Sequence, residues 1–335
     1  MAKKTEYIDN DNHKHYYEKG IKNDFVAIDH LSRSLVGMDF SNGLDKQIPY
    51  HPFPQTDKEI ITVCDYTMDE HFSLGKNLTQ LEKACADAIY TLWYRDNYHE
   101  KFSGVISKHE YTLIQIAQIV KGSDDRCNAE FLMAVSEAIR KIAATSVRLS
   151  CDAEMYLRYS QEKISKRVYD QLKECNIDIW THLIPCSVRS VSEKKDPTHR
   201  MVLSVRVMEE PPLFKYALTS GKYEMVSQNK FHFPEQMKIT KQRVTLRNYL
   251  RERILIMKRS NVSRVIRYDT LFQTVIGKAE EECSYTEKSR LTNDIKEMLG
   301  KFADEWILDK DKPFTVMKEK TARRSKEVGV KVNFL

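Results

Sequence analysis

The chain has 335 residues, 41% of them hydrophobic and 30% charged, which excludes a disordered protein and suggests two folded domains. No apolar run approaches the roughly 20 residues that cross a bilayer, and the N-terminus lacks a secretory signal, so we expect a cytoplasmic protein without membrane contact. The net charge is +6. Residues 238–335 carry 23 Lys and Arg against 14 Asp and Glu, a balance of +9, while the rest carries 31 against 34, a balance of −3. This asymmetry favours a polyanionic partner for the C-terminal third, although a solvated basic surface would look the same.

The first part of the chain is predicted to be an arm followed by a folded domain. Residues 1–58 are polar and end in a proline-rich stretch, so we predict an N-terminal polar arm with little structure of its own. Capping-box spacings at Thr79 and Thr112 predict two helices, and Asp124 and Asp125 are candidate caps for a third. A strand and a β-hairpin complete the predicted first domain, residues 59–218.

The same pattern restarts after a predicted connector, residues 219–242. A helix is predicted from 243 to about 258, then a short strand, then a helix that Gly277 ends. Ser284 opens a third helix, and the turn at residues 309–313 is interpreted as the tip of a second hairpin. Three helices and a β-ribbon therefore occur twice, which predicts an α+β fold with two tandem winged-helix domains, the second spanning residues 243–335.

The helix that Ser284 opens carries side chains suited to DNA contact. With its apolar stripe turned inward, the opposite face presents polar groups that hydrogen-bond base edges and phosphates in a major groove. These are Thr286, Ser289, Arg290, Asn293 and Lys296. A solvated helix face favours the same residue types, so this helix alone does not separate the two interpretations.

Basic residues around that helix favour the DNA interpretation, because a helix and wing that flank a duplex need positive charge beside its phosphates. The candidate backbone contacts are Arg243, Arg247, Lys310, Lys312, Lys318, Lys320, Arg323 and Arg324. Those after residue 317 could instead belong to a basic tail, which would add affinity for nucleic acid without sequence preference.

The third helix of the first domain has a different character. It is predicted to expose Asn128, Glu130, Ser136 and Glu137 as well as Arg140 and Lys141, and two carboxylates beside a phosphate backbone are unfavourable. We therefore expect the first domain to serve mainly dimerisation or packing. Secondary DNA contact through Lys141, Arg148 or the turn at 194–195 stays open.

No motif indicates catalysis, and no metal or other cofactor is expected. The sequence has no P-loop and no metalloprotease or serine-hydrolase signature. His13 and His15 before Tyr16 and Tyr17 superficially resemble a nicking site, but they lie in a polar arm. The seven cysteines include no C-x-x-C pair, which argues against a zinc site or a disulfide framework. We therefore predict a protein that is not an enzyme.

Two runs of the sequence resemble the winged helices of theta-type plasmid replication initiator proteins, a family found on bacterial plasmids and in some mobile elements and phages. The run TLRNYLRERILIMKRSNVSRVIRYDTLF, followed by the Ser284 helix, resembles their C-terminal winged helix. The earlier runs LTQLEKACADAIYTLW and YTLIQIAQIV resemble their first winged helix. The resemblance covers roughly residues 59–335 and includes no catalytic signature.

This resemblance implies a sequence-specific double-stranded DNA-binding replication initiator of the bacterial cytoplasm. Such proteins bind origin repeats, help melt an adjacent A·T-rich stretch and recruit host replication proteins. Their second winged helix makes the main major-groove contacts, and their first often forms a homodimer interface. By the same resemblance, the polar face of the Ser284 helix would read bases or position the helix, and the basic residues around it would hold the backbone. The N-terminal arm is not explained by it.

Three other functions remain open. A winged-helix transcriptional regulator would bind near a promoter and would not support replication. A metal-dependent DNA-nicking replication enzyme would use Tyr16 or Tyr17 to cleave supercoiled DNA. A protein whose winged helices bind only protein would be insensitive to changes at Arg290 and Lys296.

Overall fold

The chain folds into two α+β units that repeat one order of helices and strands. A computed structural model describes the residues numbered 4–8, 14–18, 23–28, 32, 46–49, 59–62, 78–98, 109–123, 126–150, 165–172, 178–193, 196–219, 221–259, 262–320 and 325–334. Two clusters of buried apolar side chains form the cores of the two units. None of the helices within these ranges is long and apolar enough to cross a membrane.

Among the described residues, five strands precede the helix that begins at Gln80, and they are β1 (Lys4–Ile8), β2 (Lys14–Glu18), β3 (Asn23–Ala27), β4 (Lys46–Pro49) and β5 (Glu59–Thr62). Strands β1 and β2 form one antiparallel pair, and β4 and β5 form another. The segment predicted as an arm with little structure therefore contains β1 to β4.

The first unit consists of helices α1 to α5 and strands β6 to β10. In chain order these are α1 (Gln80–Tyr98), β6 (Glu110–Thr112), α2 (Leu113–Lys121), α3 (Ala129–Ala144), β7 (Ser146–Ser150), α4 (Lys166–Leu172), β8 (Asp178–His182), β9 (Cys186–Glu193), β10 (Asp196–Val207) and α5 (Pro212–Thr219). Its main sheet has the strand order β6-β10-β9, and β7 pairs with β8. Thr112 caps α2 as predicted, whereas the cap of α3 is Asn128, whose Oδ1 accepts from Phe131 N at 2.7 Å.

Strand β11 (Tyr223–Ser227) follows the first unit, and the second unit then repeats the pattern. The elements of the second unit are α6 (Lys241–Arg259), β12 (Val265–Arg267), α7 (Tyr268–Leu271), α8 (Tyr285–Asp304), β13 (Phe314–Lys320) and β14 (Ser325–Val332). A π-helical turn continues α7, and a short 3-10 helix precedes α8. The sheet order β12-β14-β13 matches β6-β10-β9 of the first unit, because in each the third strand pairs with both others. In the described residues each unit thus has a helix, a strand, two helices and a hairpin in that order, and the first unit has β7, α4 and β8 between its third helix and its hairpin.

Strand β3 joins the two cores, although it lies in the segment predicted as an arm. It pairs antiparallel with β11, which lies in the predicted connector, and Met225 stands opposite Phe25. Successive side chains of a strand point to opposite faces. Phe25 and Ala27 accordingly pack in the first core, while Val26 and Ile28 pack in the second. The predicted boundaries therefore miss a two-stranded ribbon that is buried between the units.

The chain after α8 also differs from prediction, because residues 306–308, which lie just before the predicted hairpin tip, do not form a strand. Trp306 has a left-handed φ of 59°, and Ile307 N donates to Phe302 O at 3.0 Å, which ends the helix and reverses the chain. Ile307 and Leu308 then enter the second core. The hairpin is formed by β13 and β14, so the turn predicted at residues 309–313 is the loop that leads into β13.

Candidate nucleic-acid interface

The N-terminal end of α8 is fixed by the predicted capping box. Ser284 Oγ accepts from Glu287 N at 3.2 Å, and Ser284 N donates to Glu287 Oε2 at 2.8 Å. Lys278 Nζ donates to Glu287 Oε1 at 3.1 Å. The hydrogen bond from the Ser284 backbone, with the Ser284 hydroxyl and Lys278, lowers the pKa of Glu287 to about 2. This carboxylate is therefore an ionised part of the cap rather than a free charge facing a ligand.

The structure brings four of the five predicted base-reading residues together on the outer face of α8. Leu291, Ile295, Met298 and Phe302 are buried in the second core, which turns the opposite face outward. Thr286, Arg290 and Asn293 are exposed there, and Ser289 is half-buried. These positions stand at i, i+3, i+4 and i+7, so they share about two helical turns, or roughly 10 Å of helix.

Lys296, the fifth predicted residue, is engaged by the hairpin. Its Nζ lies 2.8 Å from Glu327 Oε2 on β14, and the two side chains are 30% and 39% exposed. The prediction that Lys296 reads bases does not fit this arrangement. The ion pair instead holds β14 of the hairpin against the middle of α8, and so it sets the position of the hairpin relative to the helix.

A second ion pair holds the outer half of the hairpin near the start of α8. Lys326 Nζ lies 2.6 Å from Glu280 Oε1, in the 3-10 helix that precedes α8. Lys318 is exposed on the neighbouring strand and stands opposite Glu327 in the pairing. The hairpin therefore flanks the N-terminal half of α8. Among the predicted backbone contacts, the side chains of Lys320, Arg323 and Arg324 lie outside the described residues.

Lys310 and Lys312 lie at the other end of the hairpin, contrary to their predicted place at its tip. Asn333 Nδ2 donates to Lys312 O at 2.8 Å, which places the loop beside the last residues of β14. Lys310 Nζ stands over the Trp306 ring, 5.2 Å from its centroid. The seven residues of β13 span about 20 Å at roughly 3.3 Å each. This distance separates both lysines from the tip of the hairpin.

Arg247 is buried between the two units, so the prediction that it holds a DNA backbone is wrong. Its side chain is 1% exposed. Its Nε donates to Phe231 O, and its Nη1 reaches Asn248 Oδ1 at 3.1 Å and Val120 O at 3.5 Å. Burial, and then the charge of Arg251, lowers the pKa of Arg247 to about 9. The guanidinium meets the C-terminal end of α2, where the helix dipole favours a cation.

Arg243 also has a structural partner. Its Nε and Nη2 donate to the two carboxylate oxygens of Asp294 at 2.9 and 2.8 Å, a bidentate pair between α6 and α8. These bonds raise the pKa of Arg243 above its ordinary value. The fork of the guanidinium is therefore committed to Asp294, and the side chain is only 22% exposed, which does not fit the predicted phosphate contact.

One exposed residue of this surface was not predicted from the sequence. Tyr285 is the first residue of α8 and is 86% exposed, one turn before Ser289. Two features of the sequence could have indicated this exposure: Tyr285 lies outside the apolar stripe of α8, and it directly follows the capping residue Ser284. An aromatic ring there offers contact area without needing a partner inside the protein.

The corresponding helix of the first unit, α3, presents an acidic surface. Glu130 and Glu137 are exposed as predicted, whereas Ser136, also predicted to be exposed, is buried and its Oγ accepts from Val202 N at 2.8 Å. Lys141 is 5% exposed and its Nζ lies 3.8 Å from Glu82 Oε1, so it is not placed for the DNA contact that the sequence left open. Arg148 and the turn at 194–195 lie outside the residues whose side chains are described. Within the described residues, no group of three or more His, Cys, Asp or Glu is placed to hold a metal ion.

Comparisons with known proteins give one similarity. No family model matches the chain, and no curated protein matches it. Among solved structures, the crystal structure of RctB domains 2-3 aligns with 87% of this chain and 91% of that chain. The aligned residues are 14% identical, and the TM-score is 0.43. A similarity of this size carries no functional conclusion.

Proposed function

We propose that this chain is a sequence-specific double-stranded DNA-binding replication initiator with two tandem winged helices, which acts in the bacterial cytoplasm. The observation that carries the proposal is the outer face of α8, where Thr286, Arg290 and Asn293 are exposed together. The hairpin of the same unit flanks that face and is held there by the Lys296–Glu327 and Lys326–Glu280 ion pairs.

The dimensions of this surface suit a DNA major groove. The groove of B-DNA is about 12 Å wide and admits an α-helix, and winged helices place the N-terminal residues of their last helix there. The exposed stripe of α8 occupies its first turns. Lys318 on the hairpin would then meet the flanking backbone.

The residues divide into base-reading and backbone-contacting roles. Arg290 can donate two hydrogen bonds to guanine, and Asn293 can make a bidentate contact with adenine. Thr286 and Ser289 suit backbone or base contact, and Tyr285 suits apolar contact at the groove edge. Lys318 would contribute affinity without sequence preference.

Initiation of replication, rather than DNA binding alone, rests on the resemblance of residues 245–272 and of the first helices to plasmid initiators. The same resemblance is the basis for including three further features in the proposal: binding to origin repeats, recruitment of host replication proteins, and a homodimer through the first unit. The acidic surface of α3, with Glu130 and Glu137 exposed, supports a division of labour in which the first unit does not grip DNA. The proposal contains no catalytic step.

The DNA-binding part is tested by selecting sites for the full chain from a randomised duplex library and titrating the variants on the best site. Arg290→Ala should weaken binding by about 1–3 kcal/mol and relax specificity at one base pair. Lys318→Ala should weaken selected and unrelated duplexes alike and reduce the salt slope by about 1. Lys301→Ala, in the last turn of α8, is the matched control and should change neither quantity.

Failure of the full chain to enrich any sequence would refute sequence-specific binding. If sites are enriched, a plasmid that carries them should replicate only when the chain is supplied. Selected sites near a promoter without replication would indicate a regulator. Cleavage of supercoiled DNA with Mg²⁺ or Mn²⁺, abolished by Tyr16→Phe or Tyr17→Phe, would indicate a nicking enzyme.

A further inference from the structure

A second basic cluster lies at the base of the hairpin, away from the outer face of α8. Two exposed cations, Lys258 at the end of α6 and Arg264 before β12, stand over the ring of Phe334, which follows β14 and packs partly against the second core. Lys230 after β11 is a third exposed cation, and its charge acts on Lys258. We name these four residues the Phe334 cluster.

The geometry of the cluster brings its charges close together. The Arg264 guanidinium carbon lies 5.1 Å from the centroid of the Phe334 ring, and Lys258 Nζ lies 5.8 Å from it. An aromatic face attracts cations at such distances. The two cationic groups are therefore at most about 11 Å apart, close to the roughly 10 Å of helix rise that four successive phosphates of one strand cover at about 3.4 Å each.

Within the part of the chain that the structure describes, no carboxylate lies within ion-pair distance of Lys230, Lys258 or Arg264. On the α8 side, by contrast, Lys296 and Lys326 each pair with a carboxylate. Burial, and then the charge of Lys230, lowers the pKa of Lys258. Mutual repulsion of this kind is relieved by a bound anion.

We propose that the Phe334 cluster is a second nucleic-acid site, which holds backbone phosphates without reading sequence. The ligand class follows from several convergent cations that no described carboxylate neutralises, since a phosphate backbone supplies evenly spaced anions. The site is separate from the α8 surface, because the eight residues of β14 place roughly 23 Å between the hairpin tip and the residues next to Phe334. The cluster therefore contacts a part of the nucleic acid that lies beyond the α8 surface.

The test measures how the affinity of the full chain for an unrelated 30-base-pair duplex depends on salt. Each phosphate contact contributes about 0.9 to the slope of log K against log salt. The double variant Lys258→Ala/Arg264→Ala should therefore reduce the slope by about 1.8. Lys310→Ala/Lys312→Ala removes the same charge from the same end of the unit and should reduce it by less than half as much. Lys258→Arg should keep the wild-type slope.

An unchanged slope in the Lys258→Ala/Arg264→Ala variant would overturn the proposal, and so would an equal loss in the control. Either result would indicate that the Phe334 cluster binds an acidic protein partner instead of nucleic acid. This test is independent of the proposed function. If the full chain enriches no sequence but the slope falls as expected, replication initiation at a specific site fails and the second site stands.

Discussion

Asp24 and Arg251 provide the sharpest test of how β3 holds the two units together. Arg251 Nη1 on α6 lies 3.1 Å from Asp24 Oδ2 on β3, and both residues are buried. Asp24 also accepts from Gln228 Nε2 at 2.7 Å and lies 3.7 Å from Arg95 on α1. One carboxylate of the N-terminal segment therefore meets the first unit, the second unit and the ribbon between them.

Replacing Arg251 by Met should destabilise the chain by about 3 kcal/mol. Removing one partner of a buried ion pair costs roughly 3–5 kcal/mol, because the remaining charge stays buried. We expect a cost at the lower end of this range for two reasons. Arg95 leaves Asp24 a partial counterion, and Arg251 Nε has no hydrogen-bond partner among the described residues, so its removal relieves a cost.

The assay is urea unfolding, with thermal unfolding as a second readout. An unfolding entropy of about 2.1 cal/mol/K per residue gives roughly 0.7 kcal/mol/K for this chain, so 3 kcal/mol corresponds to a fall in Tm of about 4 °C. Arg253→Met, two residues along α6, is the control. Arg253 is half-buried and donates to Ser263 O at 3.4 Å, so its replacement should cost under about 1 kcal/mol.

A double-mutant cycle separates the ion pair from general packing. Asp24→Asn combined with Arg251→Met should cost less than the sum of the single changes, with a coupling of about 1–3 kcal/mol. A cost below about 1 kcal/mol for Arg251→Met, or additive single changes, would refute the idea that this pair fastens β3 between the units.

Two further predictions concern local structure. Gly122 ends α2 with a φ of 71°, and a Cβ there would stand 2.0 Å from Arg247 Nη2, so Gly122→Ala should cost about 3 kcal/mol from backbone strain and overpacking. Gly277→Ala, with a φ of 78° but nothing within 4 Å, should cost only about 1 kcal/mol, and equal costs in urea unfolding would contradict the contact with Arg247. Glu287 has a pKa of about 2 in the folded chain against 4.5 ordinarily, so its ionised form stabilises α8 above pH 4.5 and this contribution is lost as the pH falls toward 2. The Tm difference between wild type and Glu287→Gln, which keeps a capping side chain, should therefore shrink between pH 6 and pH 3, and a constant difference would show that the charge is not involved.

The sequence by itself determined the features that depend on a few neighbouring residues. Ser284 and Glu287 predicted the start of α8, because a capping box is closed by groups three residues apart. The spacing of Leu291, Ile295 and Met298 predicted which face of α8 is buried, and hence that Arg290 and Asn293 are exposed. The order of three helices and a ribbon, repeated twice, followed from the same local periodicities.

Only the tertiary structure decided features that depend on distant partners. Strand β3 reads as part of a polar arm because its pairing strand, β11, lies about 200 residues away and its two apolar faces are each only two residues long. Arg247 reads as a solvated cation, yet its acceptors, Phe231 O and Val120 O, are brought together by the packing of the two units. The sequence predicted Lys310 at the hairpin tip, whereas the structure places it at the opposite end. The left-handed conformation of Trp306 reverses the chain just before Lys310, and residue type alone does not predict that conformation. Sequence patterns record which side of an element avoids water, whereas the partner that covers that side is set by packing between elements that the chain order keeps apart.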